Sequence, residues 1–172
     1  MINKIKTFDG KVIDYIDKKF NNSIMDSIMK VVTFLGDYAV IWVFIVVYLL
    51  HKDRTIEGLS IVCSLASTSL LNEKILKKIF KRTRPAIKKG YKKLVVKIPT
   101  SYSFPSGHTA TAFAVVPLAL KFGTVIGIIS VVAATIIGFS RVYLKVHYLS
   151  DVLMGAMLGT IISFGTYIFI FM

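Results

Sequence analysis

The sequence predicts an all-α fold: an integral-membrane helical bundle of five to six transmembrane helices, led by an amphipathic helix at the membrane interface. Three observations predict it. The chain is 55% hydrophobic over 172 residues, with a mean hydropathy of +0.68. A soluble domain of that length has too little interior to hide so much apolar side chain. Five long stretches are almost free of charge, and the charged residues gather in the segments between them. The length suits one domain, 1–172, rather than two.

Residues 1–22 open the chain. Ile5, Phe8, Val12, Ile13 and Ile16 fall at helical spacing with Lys and Asp between them. That pattern predicts an amphipathic helix lying at the interface, although an ordinary packed N-terminal helix would show it too. Charge runs throughout this stretch, so no cleavable signal peptide is expected. The five apolar runs are 31–50, interrupted only by Asp37, then 58–72, 109–120, 122–140 and 152–172. A bilayer core takes about 20 apolar residues of helix. Each run therefore reads as a membrane helix, the second and third shorter or tilted. Residues 24–36 are too short for a span of their own and lengthen the first.

Between the second and third runs the composition changes sharply. Residues 73–97 hold eleven of the 22 basic residues. The first part reads as a helix continuing to Arg82. Pro85 keeps Arg84 out of helical geometry and ends it. Residues 99–105 form a loop entering the next helix, and 140–150 join the last two membrane helices. Counting crossings puts the basic segment, the Pro105-Ser106-Gly107-His108 stretch and the Arg141-to-His147 stretch on one membrane face. The 51–57 connection and the Lys121 turn fall on the other.

The net charge is +13. In a chain of membrane helices this points to anionic headgroups or phosphorylated lipids, and no nucleic-acid partner is expected. Cys63 is the sole cysteine. It offers no disulfide framework and reads as a small buried hydrophobe. Gly155 and Gly159 form a small-xxx-small pair that packs helices, within the chain or between copies.

Three clusters on the shared face carry chemistry. Lys77 and Arg84 are two helical turns apart, which would put both on one helix face with Lys81 between them. They offer a point charge and a planar fork to phosphate oxygens; a solvated basic face is the plainer reading. Pro105-Ser106-Gly107-His108 precedes an apolar helix. Its free N–H groups, the Ser106 hydroxyl and a Gly107 that permits close approach suit an anion, with His108 beside it. His147 and Asp151 are four apart, so in a helix the carboxylate would stack against the imidazole and orient it. A helix-end salt bridge would use the same pair. His108, His147 and Asp151 could also serve as metal ligands, but Lys77, Arg84 and Arg141 on the same face favour an anion over a cation. No metal or cofactor is expected.

Together these residues resemble a known signature. Lys77, six residues, Arg84-Pro85; then Pro105-Ser106-Gly107-His108; then Ser140-Arg141, five residues, His147, three residues, Asp151, is similar to the three-part signature of the type 2 phosphatidic acid phosphatase superfamily. The likeness covers about residues 77–151. It implies a lipid phosphate or diphosphate phosphatase, metal-independent, with undecaprenyl diphosphate as the favoured substrate and phosphatidylglycerophosphate or phosphatidic acid as competing ones. It implies that His147 attacks phosphorus, Asp151 orients it and His108 handles the proton. Lys77, Arg84, Ser106, Gly107 and Arg141 would hold the phosphate. Lys78, Lys81 and Arg82 fall outside the signature. Relatives of this kind imply a cell-membrane site facing away from the cytoplasm. The Lys/Arg count points the other way: three basic residues (Lys52, Arg54, Lys121) lie on the opposite face and nineteen on the site's. The alternative class is a non-catalytic basic membrane module that binds or moves anionic lipids. A vanadium haloperoxidase would share the site, but membrane helices argue against it.

Overall fold

The computed structural model describes residues 2–91 and 94–172, and for Ile2, Asn3 and Tyr38 the backbone alone. Met1, Lys92 and Lys93, the last two counted above in the basic segment, lie outside the described residues. The described residues are helical with irregular connections and contain no strand.

The first helix is α1 (Ile2–Phe20), amphipathic as the spacing predicts. Ile13 and Ile16 are buried against the bundle, while Ile5 and Phe8, nearer the start of the helix, stay exposed. Asn22 caps α2 (Ser23–Gly36), its side chain accepting the Met25 N–H at 2.8 Å. A 3₁₀ turn, Asp37–Ala39, then bends the path by 49° into α3 (Val40–His51). The lone charge of the first apolar run thus sits at the bend.

After α4 (Thr55–Leu70) the helix widens into a π turn, Leu71–Leu76, and ends as α5 (Lys77–Phe80). Lys81 adopts a left-handed conformation, φ 44°, that closes it. The expected end at Arg82 is therefore two residues late. Pro85 opens a short α6 (Pro85–Lys89), as its fixed φ favours. The third apolar run is two helices of seven residues each, α7 (Gly107–Phe113) and α8 (Val116–Phe122). The carbonyl at their break, Ala114, accepts the Ser64 hydroxyl of α4 at 2.8 Å, so the broken ladder is satisfied inside the protein. The last two helices are α9 (Thr124–Tyr143) and α10 (Leu149–Phe171).

Among the described residues three helical segments, Thr55–Lys89, Thr124–Tyr143 and Leu149–Phe171, are long and apolar enough to cross a membrane, and the bent α2–α3 pair makes up to four. The α7–α8 pair runs through the bundle as its inner element, packed on by α4, α9 and α10. Ala110, Ala112, Val115, Leu118 and Ala119 are fully buried. Large apolar residues cover the outside instead: Phe44 on α3, Val125 on α9, and Leu153 and Ile161 on α10. This inside-out distribution is that of an integral-membrane protein, whose lipid solvent is as apolar as its core. Cys63 belongs to that outer surface: it is exposed on α4 rather than buried, because Ser60, Ser64 and Thr68 take the inward face.

Gly155 and Gly159 pack α10 onto α7 within the chain. A Cβ at Gly155 would lie 2.6 Å from the Ser106 carbonyl, and one at Gly159 only 2.1 Å from that of Ala110. The two ends of the bundle sort as the crossing count expects. Arg54 donates to the Phe122 carbonyl at 2.9 Å, joining the 51–57 connection to the Lys121 turn. The three clusters meet at the other end.

Candidate active site

Four stretches converge at that end: the π turn with α5, the 81–84 link, residues 101–108, and residues 140–151. The π turn inserts an extra residue per turn and so re-aims the side chains of α5. Lys77 is turned into the protein, where its ammonium donates to Glu73 Oε1 at 2.5 Å and Ser101 Oγ at 3.1 Å. Because the helix stops at Phe80, Lys77 and Arg84 do not share a helix face as expected from their spacing. They meet through Ser101, whose hydroxyl Arg84 also reaches, at 3.2 Å.

Arg84 is 2% exposed. Its guanidinium donates to the backbone carbonyls of Ser101, Tyr102 and Val146 at 2.9, 3.2 and 2.9 Å. Its Nη1 also lies 3.0 Å from His147 Nε2. A guanidinium has only N–H donors, so this contact places the lone pair on Nε2 and the proton on Nδ1. That Nδ1 faces Asp151 Oδ2 at 3.6 Å and makes no hydrogen bond. The pairing does not come from one helix turn. His147 stands before α10, and Asp151 folds back to accept the Tyr148 N–H at 2.9 Å. Burial pushes the His147 imidazolium down to about 3; Asp151 opposes this, while Arg84 and Arg141 add to it. His147 is thus a neutral imidazole with an unprotonated nitrogen turned towards a cation.

Arg141 leaves α9 into the same space. It is 4% exposed, donates to the Thr33 hydroxyl, and keeps a buried Nε without a hydrogen-bond partner. Ser106 stands at the N-cap position of α7 without a side-chain cap, its hydroxyl pairing instead with that of Thr109 at 2.9 Å. Pro105 precedes the cap rather than opening the helix. Gly107 leaves a notch beside Lys77: a Cβ there would sit 2.9 Å from Glu73 Oε1. The notch already receives one anionic oxygen, the Glu73 carboxylate. His108 Nε2 lies 2.5 Å from Asp37 Oδ1, not beside His147 and Asp151. Among the described residues no three His, Cys, Asp or Glu side chains converge as metal ligands.

All eight predicted site residues therefore lie at one end of the bundle. Sequence reasoning missed Asp37, Ser101, Ser103 and Arg82. Asp37 carried a signal, as the one charge inside an apolar run. Arg82, set outside the signature, donates to Asp151 Oδ1 at 2.5 Å, and Ser103 donates to Asp151 Oδ2.

From His108 a groove of about 720 Å³ extends between α3 and α4, past Gly36, Val43, Val46, Val62 and Leu65. It joins a polar end, with Glu73 and Gly107, to an apolar one. A polar head and an apolar tail would both find a place along it.

Known proteins resemble this chain along most of its length. Phosphatidylglycerophosphatase B of Bacillus subtilis is 32% identical over 154 residues, covering 81% of this chain and 72% of that protein. An undecaprenyl-diphosphatase of Sulfolobus acidocaldarius is 30% identical over 151 residues, covering 86% and 73%. The crystal structure of a transmembrane PAP2-type phosphatidylglycerolphosphate phosphatase from Bacillus subtilis superposes with a TM-score of 0.81 at 29% identity, over 97% of this chain and 86% of that one. The PAP2 superfamily model matches residues 57–172, from the start of α4 through α10 and so across all three clusters; the chain belongs to the PAP2 superfamily.

Proposed function

We propose that the protein removes phosphate from a membrane lipid phosphate or diphosphate through a phosphohistidine on His147. The observation that carries this is the buried, neutral His147, with Nε2 free of a proton and aimed at Arg84. Nε2 attacks phosphorus in line, and the bond to the leaving oxygen breaks as His108 protonates that oxygen. Asp151, 3.6 Å from Nδ1 in the free chain, closes onto Nδ1–H and stabilises the positive ring that forms. Lys77, Arg84, Arg141, the Ser106 hydroxyl and the Gly107 N–H hold the equatorial oxygens, where charge builds up. Water then gives its proton to His108, attacks the phosphohistidine and frees phosphate and His147. No step requires a metal.

The groove between α3 and α4 supports a lipid as the leaving group, since it joins His108 to the apolar side of the bundle. Undecaprenyl diphosphate is the favoured substrate, in line with the archaeal relative's name. Phosphatidylglycerophosphate is the second reading, on the name of the Bacillus relative and its structure. Purified protein offered undecaprenyl diphosphate, phosphatidylglycerophosphate, phosphatidic acid and a soluble phosphomonoester in excess EDTA is expected to release phosphate fastest from the first. Release only after a divalent ion is restored would overturn the metal-free mechanism. Release from none, with lipid binding intact, would leave the non-catalytic basic module.

The His147 environment sets a pH dependence. Its pKa in the folded chain, about 3, lies below the ordinary 6.5. Between those values the folded ring stays neutral where an unfolded one would take a proton. The nucleophile is therefore retained as pH falls through that window, while stability declines. Trapping in alkaline detergent, where the P–N bond survives, is expected to find phosphohistidine formed at pH 5 to an extent similar to that at pH 7. A burst that titrates away around pH 6.5 would contradict this environment.

A further inference from the structure

Asp9 is fully buried, although most of the other charged residues of its helix, α1, are exposed. A carboxylate withdrawn from water must be compensated. Asp9 Oδ1 accepts the Ser150 N–H at 3.0 Å, and Oδ2 accepts the Ser150 hydroxyl at 2.5 Å and Arg82 Nη2 at 2.7 Å. The other arm of the same guanidinium, Nη1, donates to Asp151 Oδ1 at 2.5 Å and to Ser150 Oγ at 2.7 Å. Its carbon stands 4.0 Å over the Tyr148 ring. The far oxygen of Asp151 faces His147 Nδ1. His147, Asp151, Arg82 and Asp9 therefore form one continuous line from the reacting nitrogen to the first helix.

We infer that Asp9 and Arg82 are positioning residues for the nucleophile, so that α1 completes the active site from outside the signature region. This rests on the reading of His147 as nucleophile. The physical case is one of direction and charge. Arg82 uses its two amino groups as a fork and spans two carboxylates, a geometry that a lysine cannot copy. With Asp9 in place, the guanidinium is pinned from behind and holds the Asp151 carboxylate edge-on to His147. Without it, Arg82, 21% exposed at its side chain, is released to turn towards lipid phosphates. Asp151 then loses the partner that sets its angle. Ile13 and Ile16, buried one and two turns further along α1, fix Asp9 in turn. The seating of α1 on the bundle is thus transmitted to the imidazole.

The test uses the full chain in detergent or nanodiscs, with ¹⁵N-labelled histidine; there are three histidines to resolve. Asp9→Asn is expected to lower kcat on undecaprenyl diphosphate by roughly 10- to 100-fold, the scale of a misplaced reacting group. KM should stay within about twofold, because the phosphate-binding cations are untouched. The His147 nitrogens should move from a single Nδ1–H tautomer to a mixture. Asp9→Glu should recover much of the rate. Asp14→Asn, on the same helix but paired outwards with Lys89, should change neither. Arg82→Lys, which keeps the charge and loses the fork, should repeat the Asp9→Asn result and stands in for it if that variant does not insert. The inference is overturned if both variants keep wild-type kcat and the wild-type His147 tautomer. It is equally overturned if kcat falls only with the folded fraction while the His147 signals stay unmoved. The tautomer is read without substrate, so it judges the positioning line even if the lipid phosphatase reading fails on the substrate panel.

Discussion

His147→Ala is expected to reduce phosphate release from any lipid phosphate by about 10⁴-fold or more, the scale seen when a covalent nucleophile is removed. The loss should fall on kcat. Lys77, Arg84 and Arg141 hold their places through Ser101, the Val146 carbonyl and Thr33, not through His147 alone. The variant should therefore still bind inorganic phosphate within a few-fold of wild type, as calorimetry would show. Samples quenched in alkaline detergent should contain no phosphohistidine, where wild type contains it. Turnover within tenfold of wild type would sink the covalent mechanism, since no other histidine stands at the Arg84 guanidinium. His108 is engaged by Asp37 instead.

Gly159→Leu should be the most damaging substitution outside the site. Even a methyl group at Gly159 would lie 2.1 Å from the Ala110 carbonyl and 2.7 Å from the Ala114 N–H. Both are backbone atoms of the α7 region and cannot rotate away. Gly159→Ala forces α7 and α10 apart at a cost of about 3 kcal/mol, a fall of roughly 6–12 °C in melting temperature for a chain of this size. Leucine there should prevent α7 from docking at all and abolish monodisperse protein on size exclusion. Activity should fall with it, because α7 begins at Gly107 and His108. Gly165→Ala is the control. A Cβ there meets nothing within 4 Å, and its melting temperature should be unchanged. A Gly159→Ala protein as stable as that control would mean the two helices are not in backbone contact.

Asp151 and Arg82 mark the limits of what spacing along a chain conveys. Asp151 was legible because its distance from His147 is short along the chain, although the contact arises from an N-terminal cap rather than from one helical turn. Arg82 and Asp9 are 73 residues apart, and nothing in the spacing of either announces the other. Lys77 and Arg84 were legible as a pair for the wrong reason. Their meeting depends on the π turn and on the left-handed Lys81, backbone features that propensity does not write into side-chain type. The apolar runs marked the helices well, since any segment buried from water must be apolar. They could not separate segments that face lipid from one that faces protein, because both solvents select the same residues. That is why 109–120 looked like the other runs and is instead the broken inner pair α7–α8. Cys63 failed in the reverse sense: it was read as interior filler, but the small hydroxyl residues hold the inside of α4.

The burial of that inner pair bears on how the protein is made. A segment of two short helices, rich in alanine and broken at Ala114, is a weak candidate for entering the bilayer by its own hydrophobicity. Its unpaired carbonyl is quenched by Ser64 of an earlier helix, and its flank is closed by the glycine face of α10, which follows it in the chain. Stable placement of α7–α8 in the bilayer therefore depends on its contacts with α4 and α10. His108, carried on α7, and His147 and Asp151, carried at the entry to α10, are held in register by that same helix pair.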